Sequence, residues 1–241
     1  QPALTIVDAA FTATSACCVT GLTVRSTVED FSPFGQGVIL ILIQLGGLGI
    51  MTITTLLIFQ IGGEATVRQR AVIAETLGIK SARGLRQLAL MVLVVVLCSE
   101  FIGFLLLTAA TWGTREPFEV IWRAAFHSVS AFCNAGFSLG DDSLVAYNTD
   151  VPVNLIICGL IIVGGLGFPV LFDITSRLWS RESLWDRLHM HSKLMLLGTA
   201  GLLAFGAVSF WVFESDGVLA GQPLSSRVLL GLFHTTTCRT A

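Results

Sequence analysis

Charge is scarce in this chain. Only 12% of its 241 residues are Asp, Glu, Lys or Arg, against 54% apolar, and the mean hydropathy is +0.80. A water-soluble domain carries about 25% charged residues. So little charge cannot cover a soluble surface, and lipid is the expected solvent. A basic excess is lacking too: the formal net charge is −2, which removes the usual electrostatic argument for nucleic acid. The six cysteines show no CxxC or other metal spacing and read as small hydrophobes in a membrane. There is no phosphate loop and no GxGxxG, so any nucleotide would have to be bound by a partner. The opening QPALTIVDAAF lacks the basic n-region of a secretory signal.

What the chain does have is apolar length. Stretches over 34–63, 87–114 (interrupted only by Glu100), 151–172 and 194–213 are long enough to cross a bilayer. Shorter apolar segments lie at 9–24, 124–140 and 228–238. The linkers between them are polarised. Arg68, Arg70, Lys80, Arg83 and Arg86 fall in one loop, and Arg177, Arg181, Arg187 and Lys193 in another; together they are nine of the fourteen basic residues. Linkers beside the short segments are acidic: Glu29 and Asp30, then Asp141, Asp142 and Asp150, then Glu214 and Asp216. The positive-inside rule predicts that the basic loops are cytoplasmic, which leaves all three short segments on the outer side.

The short segments repeat one another. AFTATSACCVTGLT, AFHSVSAFCNAGFS and LFHTTTCRTA align at Phe11, Phe126 and Phe233; Ser15 aligns with Ser130, Cys18 with Cys133 and Gly21 with Gly136. The following stretches repeat as QLGGLGI and VGGLGFP. The predicted unit is therefore a span, a pore segment and a second span. A segment that enters and leaves by the same face exposes non-helical backbone at depth, which is tolerated only where it is buried or lines a water-filled path. A short helix can make the descent, with its partially negative C-terminal end aimed inward, where it favours cations. Asp8 near the first such helix's start, and Ser225 and Ser226 near the third's, suit N-terminal caps. Carbonyl oxygens on the way back could replace the water around an ion, with glycine at the turn in VTG (Val19–Gly21) and NAG (Asn134–Gly136). Packing of small residues is the competing explanation for these glycines, and the favoured one for the GGxG glycines of the spans.

TSACCVTGL, QLGGLGIMT, FHSVSAFCNAGFSL, VGGLGFPVL and TTTCRTA, taken in order, resemble the Trk/Ktr/HKT superfamily of potassium transporters over essentially the whole chain. Loop lengths lean toward a bacterial Ktr-type membrane subunit over a Trk-type one. The resemblance implies an all-α membrane protein of repeated span–pore helix–span units, with re-entrant selectivity-filter loops around a pseudo-fourfold pore. It divides the chain into repeat 1 (1–63, without its first span), a cytoplasmic loop (64–84), repeat 2 (85–175), a second loop (176–192) and repeat 3 (193–241, cut in the filter). The fourth repeat is expected beyond Ala241, and conduction by this chain alone is not expected.

The implied function is potassium uptake across the bacterial plasma membrane, with a sodium-permeable or Na⁺/H⁺-coupled transporter of the same superfamily as the alternative. The implied filter residues are Val19, Thr20 and Gly21, then Asn134, Ala135 and Gly136, then Thr240 and Ala241, holding K⁺ through main-chain oxygens. Some family members have serine at the position of Gly21 and favour sodium, so glycine predicts potassium. Cys18, Cys133, Glu100 and Arg239 read as pore support; Glu100, the one acid mid-span, could instead be a direct ion or proton site. His127 and His234 read as pore-helix hydrogen-bonding groups, and His189 and His191 need no special role. K⁺, with Na⁺ as a coupling ion, is the only bound species implied, with no organic cofactor. Implied partners are the bilayer, a second copy of the complete subunit and a KtrA/TrkA-like cytoplasmic ring of nucleotide-binding subunits, which would meet the amphipathic basic loop. An enzyme is not expected, because the spans hold only Glu100 and scattered hydroxyls. A secondary transporter would show inverted repeats, whereas these run in the same sense.

Overall fold

The structure, a computed structural model, describes residues 5–49, 82–140, 142–177, 184–215 and 217–240. Inner parts of the first long stretch, most of the 64–84 loop, Arg181, Glu182 and Ala241 lie outside the described residues. Among the described residues every regular element is helical: α1 (Ile6–Cys17), α2 (Pro33–Leu48), α3 (Ala82–Thr111), α4 (Pro117–Phe132), α5 (Val151–Gly165), α6 (Phe168–Arg177), α7 (Leu184–Arg187), α8 (Met190–Phe213) and α9 (Leu224–Thr240).

Local chemistry starts these helices where it is available. Thr5 caps α1 and forms a reciprocal capping box with Asp8, so Asp8 is the third helical residue and not the cap itself. Ser32 and Asp150 cap α2 and α5, each followed by proline in the first turn. Ser225 and Ser226 fall inside the first turn of α9.

Among the described residues two helices, Leu90–Thr111 within α3 and the whole of α8, are long and apolar enough to cross a membrane. Their surfaces agree with that: α8 turns Leu194, Leu197, Leu202, Phe205, Val208 and Val212 outward. The stretch over 151–172 is not one straight span. α5 stops at Gly165, Gly167 adopts φ +86°, and α6 leaves at 99° to α5. The same motif closes α2, where Gly49 adopts φ +76°. Hydropathy sees an unbroken apolar run at both places, but the third glycine of GGxG lets the backbone turn out of the helix.

The short helix α4 lies centrally, packed by α3, α5 and α2. α9 repeats this arrangement against α8 and α5, and α1 packs on α2. One apolar cluster joins Val92, Val96, Phe132, Ile157 and Ile161 across α3, α4 and α5. Another joins Ile39, Ile43, Phe126, Phe137 and Leu139 around the end of α4.

Candidate ion-conducting site

α1 and α4 end in the same way, atom for atom. Thr20 N–H donates to Ser15 O at 2.8 Å and Val19 N–H to Ala16 O at 3.2 Å; Ala135 N–H donates to Ser130 O at 2.8 Å and Asn134 N–H to Ala131 O at 3.1 Å. This is the Schellman arrangement, which needs a left-handed residue just past the cap. Val19 (φ 56°) and Asn134 (φ 58°) fill that place. The sequence reading put glycine at the turn, but a valine and an asparagine make it. A β-branched residue at positive φ is unfavourable, so the valine is held there by its surroundings. Two residues on, Gly21 (φ 77°) and Gly136 (φ 72°) are left-handed again.

The two turns touch. A Cβ added to Gly21 would lie 2.5 Å from Ala135 O and 3.1 Å from Gly136 Cα, and one added to Gly136 would lie 3.4 Å from Gly21 Cα. Glycine is required by backbone angle and by closeness at once. Among the described residues, no hydrogen bond is accepted by the carbonyl oxygens of Val19, Thr20, Gly21, Asn134, Ala135 or Gly136. Of the six residues Ala135 is buried, Val19, Gly21 and Asn134 are half-buried, and Thr20 and Gly136 are exposed. Six carbonyls free of protein donors on two touching segments can serve as ligands for a cation stripped of water.

Supporting contacts come from the spans. The GGxG glycines do serve close packing, and what they pack against is the ends of the short helices. A side chain on Gly46 would strike Cys17 O, and one on Gly164 would strike Phe132 O. Gly47 faces the Cys133 side chain, and Gly165 faces Thr240 and Arg239. Each pair thus serves its own short helix and the next one. Gly103 and Gly206, which the sequence reading passed over, make room for Ser128 and Thr235 in the same manner; their signal is a glycine in each first span about a helix-length before the aligned hydroxyls.

Glu100 is buried on α3, accepts from the Cys133 thiol at 3.7 Å, and through its carbonyl accepts from Ser128 Oγ at 2.5 Å. Cys18 sits at the C-cap of α1, as Cys133 does on α4. Ser130 Oγ donates to Phe137 O at 2.6 Å, and His127 Nε2 accepts from Leu139 N–H at 3.1 Å, tying the segment after Gly136 to α4. His234 is exposed and stacks on Phe210 at 4.9 Å between ring centroids. Arg239 donates to Thr199 Oγ1 at 2.9 Å and to Gly165 O at 3.4 Å, the last carbonyl of α5. Thr240 ends α9 and meets the second turn across Gly165, where an added Cβ would lie 2.9 Å from Thr240 Cγ2 and 3.8 Å from Asn134 Nδ2; Ala241 is not described.

His189 has a role that sequence did not show. Its N–H and Nδ1 meet Asp173 at 2.8 and 2.7 Å, joined by Ser192 Oγ at 2.7 Å and Arg177 Nε at 2.8 Å. This knot fixes the start of α8 to α6. No group of three or more metal-ligating side chains forms among the described residues.

Fold and site together define an all-helical membrane protein whose short internal helices end in paired, carbonyl-bearing turns. A model of the TrkH cation transport proteins matches residues 1–241, and the chain belongs to that family. It is 38% identical over 241 residues to the Ktr system potassium uptake protein B of Vibrio alginolyticus, covering 99% of this chain and 52% of that protein. Against the Bacillus subtilis protein of the same name it is 36% identical over 240 residues, covering 99% and 53%. Against the potassium/sodium uptake protein NtpJ of Enterococcus hirae it is 38% identical over 236 residues, covering 98% and 51%. The chain spans about half the length of these relatives.

Proposed function

We propose that this chain is part of a potassium uptake protein of the plasma membrane, and that Val19–Gly21 and Asn134–Gly136 are two strands of its selectivity filter. One observation carries the reading: six backbone carbonyls that accept no hydrogen bond among the described residues lie on two segments that meet at Gly21 and Gly136. Carbonyl oxygens that replace hydration water are a known way to pass K⁺. Thr240 and Ala241 belong to a third strand and a fourth repeat completes a pseudo-fourfold pore. In this reading the repeats are 1–63, 85–175 and 193–241, and Cys18, Cys133, Glu100 and Arg239 brace the filter. Assembly as a homodimer on a cytoplasmic nucleotide-binding ring belongs to the same reading and rests on the family.

The test is Gly21→Ser in the complete protein, reconstituted in vesicles. A Cβ at this position meets Ala135 O and requires positive φ, so the two strands must separate. The K⁺/Na⁺ permeability ratio is expected to fall by about tenfold, the equivalent of roughly 1.4 kcal/mol. An unchanged ratio in folded protein overturns the filter assignment.

A further inference from the structure

α2 and α5 each bury one carboxamide at matching places. Gln36 lies four residues after the cap Ser32, and Asn154 four after the cap Asp150. The offset between the two is the one that relates Gly46 to Gly164. Both side chains are 6% exposed. Gln36 Nε2 donates to Thr27 O and to Phe31 O, each at 3.2 Å. Asn154 Nδ2 donates to Tyr147 O at 2.5 Å and to Asp150 O at 2.7 Å. The acceptors lie in the two loops that lead away from Gly21 and from Gly136. Gln36 also reaches across: its Oε1 accepts from Trp122 Nε1 of α4 at 2.8 Å.

Only a primary amide does all of this. It offers two N–H donors to two carbonyls and keeps an oxygen as acceptor. A carboxylate could not donate, and a hydroxyl could satisfy only one carbonyl. An apolar side chain at Gln36 would leave Thr27 O and Phe31 O without a donor among the described residues, a cost that buried polar groups seldom bear. At Asn154 the amide adds a second donor to Tyr147 O and Asp150 O, which also accept from Asp150 N–H at 2.9 Å and Asn154 N–H at 3.1 Å. The apolar surroundings of both helices make such a residue expensive unless its bonds are made.

We infer that Gln36 and Asn154 are positioning residues for the two carbonyl-bearing turns. Each amide fixes the return path from its turn, and the Gln36–Trp122 bond sets the first turn's register against the helix that carries the second. The inference rests on the filter reading proposed above.

The complete protein in vesicles decides it, with Gln36→Met, Asn154→Leu, Asn154→Gln and Trp122→Phe measured beside Gly21→Ser. Gln36→Met and Asn154→Leu are expected to lower the K⁺/Na⁺ ratio by about fivefold, since each loses two hydrogen bonds. The K⁺ KM should rise more than the maximal flux falls. Asn154→Gln keeps both donors and should stay within about twofold of wild type. Trp122→Phe keeps the ring and both return-path bonds, so it should shift the ratio in the same direction by about twofold. If Gln36→Met does not fold, Asn154→Leu and Trp122→Phe carry the test. Wild-type ratio and KM in these variants, with a shifted ratio in Gly21→Ser, overturn the inference and leave the filter reading standing. An unchanged ratio in Gly21→Ser overturns the filter reading, and the inference falls with it.

Discussion

Glu100 shows how far a single residue can be read. Sequence marks it as the lone acid in a span, and burial of a charge there demands a partner or a purpose. The structure supplies partners: the Cys133 thiol on its side chain and the Ser128 hydroxyl on its carbonyl, both from α4. Two contacts to one short helix fit the proposed brace better than an ion ligand. Glu100→Gln keeps the shape and an acceptor for the thiol, so K⁺ flux is expected within about threefold of wild type, as one weak hydrogen bond is modified. Abolished flux in folded protein would give the carboxylate a direct role in ion or proton movement. Asp8 offers a second residue-level test, through pH. The Thr5 side chain and N–H, and to a lesser extent Arg25 at 3.4 Å, hold its carboxyl below the ordinary value of 3.8 against the opposing effect of burial. A carboxyl whose folded value is depressed adds stability above the unfolded value and loses it as pH falls through the folded one. The melting temperature of wild type is therefore expected to drop more steeply below about pH 3.8 than that of Asp8→Asn. Parallel curves would remove the capping box and ion pair from the account.

Between elements, the adjacent glycines of α2 and α5 decide how the short helices seat. The two motifs were legible in sequence as repeats, but not what they touch. Periodicity reports which face is apolar, and says nothing of a carbonyl or thiol lying where a Cβ would go. The turns were legible in place but not in residue, because Val19 at positive φ runs against local preference and is set by the Schellman bonds of α1. The break between α5 and α6 was not legible, because an apolar run is the same to either side of a bend. These contacts predict a contrast. Gly47→Ala meets the Cys133 side chain, Cβ at 2.7 Å, and is expected to cost about 1–3 kcal/mol, as overpacking does. Adding Cys133→Gly should recover about 1 kcal/mol of that, a coupling typical of residues in contact. Gly164→Ala meets a backbone oxygen, Phe132 O, and no side-chain change at Phe132 should rescue it. Thermal unfolding in detergent reads both; additive losses at Gly47 and Cys133 would contradict the packing.

For the whole molecule, charge and connectivity bear on the same question from separate directions. The basic residues gather over 68–86, running into the start of α3, and over 177–193, running into the start of α8, and the acidic ones gather beside the short helices. Independently, α3 runs into α4, and α8 into α9, through short links, and each partner packs back along its neighbour. The links at 112–116 and 214–223 therefore share one side with the loop of Ser143 to Asp150, and α7 and the Asp173–His189 knot lie on the other. The positive-inside rule then predicts Thr149 and Gln222 outside and Asp186 in the cytoplasm; all three are exposed. In the complete protein, with the exposed Cys17, Cys18, Cys98 and Cys238 replaced by serine, single cysteines at these sites read the orientation. A membrane-impermeant maleimide added to intact cells is expected to label Thr149→Cys and Gln222→Cys, and to reach Asp186→Cys only after permeabilisation. Cys133, pressed between Gly47 and Glu100, should stay unlabelled in either case. The reverse pattern would invert the membrane orientation and put the carbonyl-bearing turns at the cytoplasmic mouth. Labelling of all three from outside would mean that α8 does not cross, and the short helices could not then enter from one common side.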